Sequence, residues 1–160
     1  MLIRPLVQDD WPAVADVYAQ GIATGLATFE PRVPDWPHFD AACRPDCRLV
    51  AELNGEVCGW AVLKPTSARP VYRGVTELSI YIGSAFRGQG VGKRLLGELI
   101  PCSESAGIWT IQASVFPENT ASVGLLQSQG FRKVGHRERV AQLHGRWHDT
   151  MILERRSPAL

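Results

Sequence analysis

Charge of one sign is what this 160-residue sequence has least of: seventeen Lys and Arg stand against sixteen Asp and Glu, a formal net charge of +1. That balance excludes a whole-molecule attraction to nucleic acid or to an acidic membrane surface, so any anion site has to be local. Long apolar runs are missing too. No stretch approaches membrane-spanning length, and in the opening "MLIRPLVQDDWP" Arg4, Asp9 and Asp10 stand where a secretory signal needs an uninterrupted apolar segment. A cytoplasmic protein is expected. Cysteine is sparse, with Cys43, Cys47, Cys58 and Cys102 scattered along the chain. The nearest pair is spaced C-x₃-C, with no second pair or histidine doublet to complete a zinc site, so free, mostly buried thiols and no bound metal are expected.

What the chain does have is 45% apolar residues, enough for one compact domain over residues 1–160. "LIRPL" reads as an edge strand. Asp9 or Asp10 can cap a helix with Pro12 in its first turn and Val14, Val17, Tyr18 and Ile22 at helical spacing. A proline-rich loop follows, then a short helix near Phe39 to Cys43. "RLVAEL" and "VCGWAVL" are joined through Asn54-Gly55-Glu56, a hairpin signal because Asn and Gly tolerate positive φ. "VTELSIYI" alternates as a third core strand, and a helix from about Val91 should kink or end at Pro101. "WTIQASV" is another strand. Next comes a helix capped by Asn119 and closed by Gly130, and then two strands around Phe131 to Val140 and Trp147 to Glu154. The order β-α-α-β-β-β-α-β-α-β-β makes a mixed sheet with helices on its faces, α+β or α/β.

The stretch "FRGQGVGKRLL" holds three glycines in five residues, Gly88, Gly90 and Gly92, running into two cations and a helical pattern. A dinucleotide fingerprint starting at Gly88 needs glycine at position 93, where Lys93 stands. A P-loop ending in Gly92-Lys93 needs glycine at 87 and Ser or Thr at 94, where the chain has Arg87 and Arg94. What fits is R-x-x-G-x-G between a strand and a helix. Unhindered N–H groups at a helix N-terminus form a concave donor site, which Arg87, Lys93 and Arg94 reinforce, and a pyrophosphate is its natural guest.

Arg87-Gly88-Gln89-Gly90-Val91-Gly92 after "ELSIYIG", followed by "NTASVGLLQSQGF", resembles the acyl-CoA-binding signature of the GCN5-related N-acetyltransferase superfamily. "TFE" of Thr28 to Glu30, "VYRGVTELSIYI" and the late "HGRWHD" are similar to its phosphinothricin and methionine sulfoximine N-acetyltransferase branch. The resemblance covers nearly the whole chain. It implies a mixed, mostly antiparallel sheet with a splayed central strand, and acetyl-CoA as the source of the pyrophosphate, held by Arg87 to Lys93. It also implies pantetheine pairing with the backbone of Ile80, Tyr81 and Ile82, contacts from Asn119 and Ser122, a small-molecule amine as acceptor, and a homodimer.

Glu77 is the candidate base. Period two places Leu78, Ile80 and Ile82 on one face of their strand and Glu77, Ser79 and Tyr81 on the other, so a carboxylate sits inside a core strand. An amine acceptor is mostly ammonium at neutral pH, and freeing its lone pair costs roughly 3 to 4 kcal/mol. A half-buried glutamate, acting directly or through water, can take that proton, and the matching glutamate of the branch has that role. Phe29 and Glu30 match the branch's substrate-facing early loop, and Arg69, Tyr72 and Arg73 lie in the loop before the Glu77 strand. A guanidinium there can hold a carboxylate with two parallel hydrogen bonds, which points to a small α-amino acid with a polar, tetrahedral side-chain terminus. One departure stands out: Leu126 occupies the position where many superfamily members carry a tyrosine that protonates the leaving thiol. Two rival readings stay open, acetylation of a protein N-terminus or lysine, and a non-catalytic acyl-CoA sensor, against which Glu77 argues.

Overall fold

The computed structural model describes residues 1–160 as seven strands in one sheet with four helices on its two faces. In chain order these are β1 (Leu2–Pro5), α1 (Trp11–Ala23), α2 (Trp36–Ala42), β2 (Leu49–Leu53), β3 (Glu56–Pro65), β4 (Val75–Ile82), α3 (Val91–Ser105), β5 (Thr110–Val115), α4 (Thr120–Ser128), β6 (Arg132–Leu143) and β7 (Arg146–Arg156). The sheet runs β1-β2-β3-β4-β5-β7-β6, antiparallel throughout except for β4 against β5.

Strand alternation divides the core in two. On one face Ala61, Leu63, Leu78, Ile111, Ala113 and Leu153 meet Leu95, Leu96 and Leu99 of α3. Each of these buried leucines contributes about 1.5 to 3 kcal/mol. On the other face Val50, Trp60 and Val62 meet Val14, Val17 and Tyr18 of α1 and Phe39 of α2, and the Trp60 indole donates to the Val14 carbonyl at 3.1 Å. Helices α1 and α2 cover β1 to β3 and the Tyr81 end of β4 on this second face, so Glu77, Ser79 and the strands beyond them border a hollow.

Pairing between β4 and β5 is short. Val75, Thr76 and Glu77 match Thr110, Ile111 and Gln112, and the ladder stops there, although β4 runs on to Ile82 and β5 to Val115. The two strands diverge after the Glu77 rung, leaving one backbone edge of β4 from Leu78 onward without a strand partner. The splayed central strand therefore follows from an interrupted ladder.

Three expectations change. Helix α3 does not end at Pro101 but continues to Ser105. The hydrogen bond that proline forfeits would have gone to the exposed Gly97, where water can take the carbonyl, while Leu99, Ile100 and Ser103 hold the helix to the core. Asp10 does not cap α1, because its carboxylate is taken by the Arg4 guanidinium, 2.8 Å from each oxygen, and by the Val7 N–H at 2.9 Å. Cys47 and Cys102 are not free: packing of α3 under β2 brings residues 55 apart to a Cα separation of 5.7 Å, where they form a disulfide. Cys43 and Cys58 are the buried free thiols.

Candidate active site

Two hollows meet at the splay. One, of about 630 Å³, runs from the glycine turn along Ile80, Tyr81 and Ile82 to α4. The other, of about 450 Å³, contains Glu77, Ser79, Thr28, Phe29 and Glu30. Ala27, Ile80, Tyr81, Asn119 and Ser122 line both, so a molecule in the first can touch a molecule in the second.

The first hollow brings together groups that can hold an anion. Gly88 and Gly90 have φ of 74° and 79°, the left-handed region that side-chain-bearing residues avoid, and a Cβ on either would meet no atom within 4 Å. Their backbone is thus exposed to a guest. The first helical N–H of α3 to find a backbone acceptor is that of Arg94, which donates to Gly90 at 3.1 Å, leaving the preceding N–H groups directed out of the helix end. Gly92 has a different reason: a Cβ there would stand 2.7 Å from Leu125, so glycine lets α3 and α4 approach. Arg87, Val91 and Lys93 line this hollow, and Arg87 also donates to the Ile82 carbonyl at 3.2 Å. Gln89 does not line it; its amide closes the turn onto the Ala85 carbonyl at 2.8 Å. Asn119 accepts from the Ser122 N–H with its oxygen and donates to the Leu26 carbonyl with its nitrogen, both at 3.2 Å, which ties α4 to the early loop.

In the second hollow Glu77 is half-buried and receives the Gln112 amide at 3.4 Å. Tyr81 is stacked on Trp60, with ring centroids 4.7 Å apart, and packs against Tyr18 at 4.8 Å. Burial, ahead of its polar neighbours, pushes the Tyr81 phenol up to about 12, so it stays a neutral donor at physiological pH. Phe29 is fixed edge-on to Phe116 at 4.8 Å, and Phe116 is itself stacked on His148 at 4.9 Å. Leu126 is fully buried at the floor, an apolar wall with no proton to give.

Arg69, Tyr72 and Arg73 do not line the hollow that holds their own chain's Glu77. All three are exposed; Arg69 lies over Tyr72, and Arg73 over the Trp109 ring at 5.4 Å. Residues that sequence reasoning passed over are Lys64, Phe116 and Arg137, which do line it. A signal for Lys64 was present, because a lysine closes the otherwise apolar run of β3.

The sequence pattern of the acetyltransferase (GNAT) family matches residues 10–131. The chain belongs to that family. A GNAT relative, phosphinothricin N-acetyltransferase of Alcaligenes faecalis, is 36% identical over 159 residues, covering 96% of this chain and 81% of the relative. Among solved GNAT structures, a phosphinothricin acetyltransferase from Sinorhizobium meliloti in complex with acetyl-CoA superposes with a TM-score of 0.87 at 28% identity, covering 97% of this chain and 87% of the other. Ribosomal-protein-alanine N-acetyltransferase from Brucella melitensis superposes at 0.88 with 31% identity, covering 98% and 100%. The chain has the GNAT fold, is an N-acetyltransferase and uses acetyl-CoA. Family membership sets aside the sensor reading. The open glycine turn, the unpaired N–H groups and the free β4 edge fit that coenzyme. No helix is long and apolar enough to cross a membrane.

Proposed function

We propose that residues 1–160 form one domain that acetylates the α-amino group of a small amino acid of the phosphinothricin, methionine sulfoximine or methionine sulfone type. The observation that carries this reading is the join of the two hollows at Ile80 and Tyr81, beside Glu77. An acceptor space of about 450 Å³ suits a small molecule better than a polypeptide. Similarity to the Alcaligenes faecalis enzyme supports the substrate class.

Acetyl-CoA supplies the acetyl group as a thioester. Arg87, Lys93 and the N–H groups from Gly88 to Gly92 hold its pyrophosphate, and the backbone of Ile80 to Ile82 with Asn119 and Ser122 positions its pantetheine arm. Glu77 takes a proton from the acceptor ammonium, directly or through water, and the freed nitrogen attacks the carbonyl carbon in a ternary complex. The C–N bond forms as the C–S bond breaks, with backbone N–H groups polarising the carbonyl oxygen. A thiol with a pKa of about 8.5 leaves as thiolate without help from Leu126, and it takes up, through water, the second proton that the acceptor nitrogen sheds as the amide forms.

Phe29 and Glu30 contact the acceptor in this reading. Arg69, Tyr72 and Arg73 gain a role at an acceptor only through a second copy, and the reading includes a homodimer. Its support is the apolar surface around this loop and the last hairpin: Val71, Tyr72, Val140 and Trp147 are all exposed. An acetyl-CoA-dependent enzyme works where that metabolite is made, so the reading also includes a cytoplasmic location.

A thiol-release assay tests the proposal. Acetyl-CoA is offered with the three amino acids, with their decarboxylated amines, and with an alanine-initiated peptide. Turnover confined to the amino acids is expected. Faster turnover of the peptide would move the chain to protein N-terminal acetylation, the reading that likeness to the Brucella melitensis protein favours.

A further inference from the structure

The acceptor hollow is lined by four charged side chains, Glu30, Lys64, Glu77 and Arg137. Lys64 of β3 stands directly opposite Glu77 of β4 in register, so their side chains rise from the same face of the sheet. Cross-strand neighbours of this kind have Cβ atoms about 5 Å apart, within easy reach of an ion pair. None forms. Glu77 turns to Gln112 on its other side, and the half-buried Lys64 has no carboxylate within 4.0 Å.

Arg137 reaches the same hollow from β6, also without an ion pair. Its position is built. The register of β6 against β7 shifts between Arg137 and Ala141. Asp149 clamps this bulge, accepting the Arg139 N–H within it at 2.8 Å and meeting the ring of His136, just before it, at 2.8 Å. Two cations on different strands therefore face one small space, and neither is neutralised by its own chain. A partly desolvated ammonium without a counter-ion is unfavourable, which gives Lys64 a standing preference for an anion brought in by a ligand.

An α-amino acid presents its ammonium to Glu77 and its carboxylate to one cation. The other cation remains. Resting on the acetyltransferase reading above, we propose that Lys64 is a specificity-determining residue that acts with Arg137 to favour α-amino acids whose side chain ends in a second anion. A phosphinate or a carboxylate terminus answers both cations, whereas a sulfone or an amide answers one.

The test compares kcat/KM for phosphinothricin, which carries carboxylate and phosphinate, with kcat/KM for methionine sulfone, whose side-chain terminus is neutral. Wild-type protein is expected to favour phosphinothricin by about tenfold or more, the scale of one charge-assisted contact. Lys64→Met should shrink that preference about tenfold, chiefly by raising KM for phosphinothricin, and Lys64→Arg should restore most of it. Arg137→Met should shrink it as well. Thermal melting and acetyl-CoA binding report whether each variant is folded, and if Lys64→Met is not, Lys64→Arg and Arg137→Met carry the comparison. A wild-type preference for methionine sulfone overturns the inference, as does a ratio unchanged within about twofold in the folded variants. Absence of turnover with either acceptor in wild-type protein overturns the acceptor reading itself, an outcome distinct from turnover with an unaltered ratio.

Discussion

The Gln112 amide approaches the Glu77 carboxylate at 3.4 Å across the last rung that joins β4 to β5. The proposed base is thereby held where the sheet opens, at the edge of the hollow proposed for the acceptor. We expect Glu77→Gln to leave acetyl-CoA affinity nearly intact and to lower turnover by about 10² to 10⁴ near neutral pH. Steady-state kinetics and calorimetric titration check both halves, and a loss of turnover below about threefold would return Glu77 to a surface role. Removing the orienting amide with Gln112→Leu should cost much less, about twofold to tenfold.

The glycine turn separates into two kinds of site. At Gly90 a side chain meets no atom but must adopt φ of 79°. Gly90→Ala therefore adds backbone strain of about 1 to 2 kcal/mol. Gly90→Asp adds a negative charge at the proposed pyrophosphate site as well, and should abolish acetyl-CoA binding where alanine only weakens it. Gly92→Ala drives a methyl group toward the Leu125 side chain at 2.7 Å, so its signature should be a lowered melting temperature as that side chain is forced to repack. Equal coenzyme affinity in Gly90→Asp and wild-type protein would remove the anion site from this turn.

Arg4 and Asp10 predict an acid-sensitive component of stability. Hydrogen bonds from Arg4, opposed by burial, hold the Asp10 carboxyl below its ordinary value of about 3.8. Since the folded value lies under the unfolded one, the contribution is complete above the unfolded value and fades as pH falls through the folded one. Asp10→Asn should cost about 2 to 3 kcal/mol at pH 7, the scale of hydrogen bonds to a charged group. In urea melts the gap between variant and wild type should begin to narrow below about pH 4 and close only as the pH falls through the lower, folded value. A gap of constant size down to pH 2 would assign the loss to packing.

The Cys47–Cys102 link spans 55 residues and ties the C-terminal half of α3 to the segment entering β2. A crosslink over a loop of that size stabilises by about 2 to 4 kcal/mol. Reduction should lower the thermal midpoint by roughly 5 to 15 °C without unfolding the protein at 25 °C, because the α3 leucines remain buried. Denatured, unreduced protein should show two free thiols, those of Cys43 and Cys58. Four would mean that the link does not form.

Local chemistry made much of this fold legible. Asn54 and Gly55 do have positive φ, Asn119 does cap α4, and the alternation of β4 does send Glu77 and Leu78 to opposite faces. Each of these depends on neighbours within a few residues. Long-range outcomes were not legible. The insertion of β7 between β5 and β6 decides which side chains border the hollow, and no local pattern encodes that order. Arg137 enters the site only through a bulge clamped from β7, and Cys47 meets Cys102 only because α3 packs beneath β2. Pro101 does not end α3, because a core contact that extends on both sides of it holds the helix together.

The early end of the β4–β5 ladder gives this sheet a border in its own interior. An unpaired strand edge invites pairing with other chains, and proteins usually guard such edges at the outer margin with charge or proline. Here the edge borders a hollow walled on its other side by α4, which the Asn119–Leu26 hydrogen bond ties to the early loop. In the proposed binding mode acetyl-CoA takes the place of a strand, and its binding should then slow amide-proton exchange along Leu78 to Ile82 more than anywhere else in the sheet.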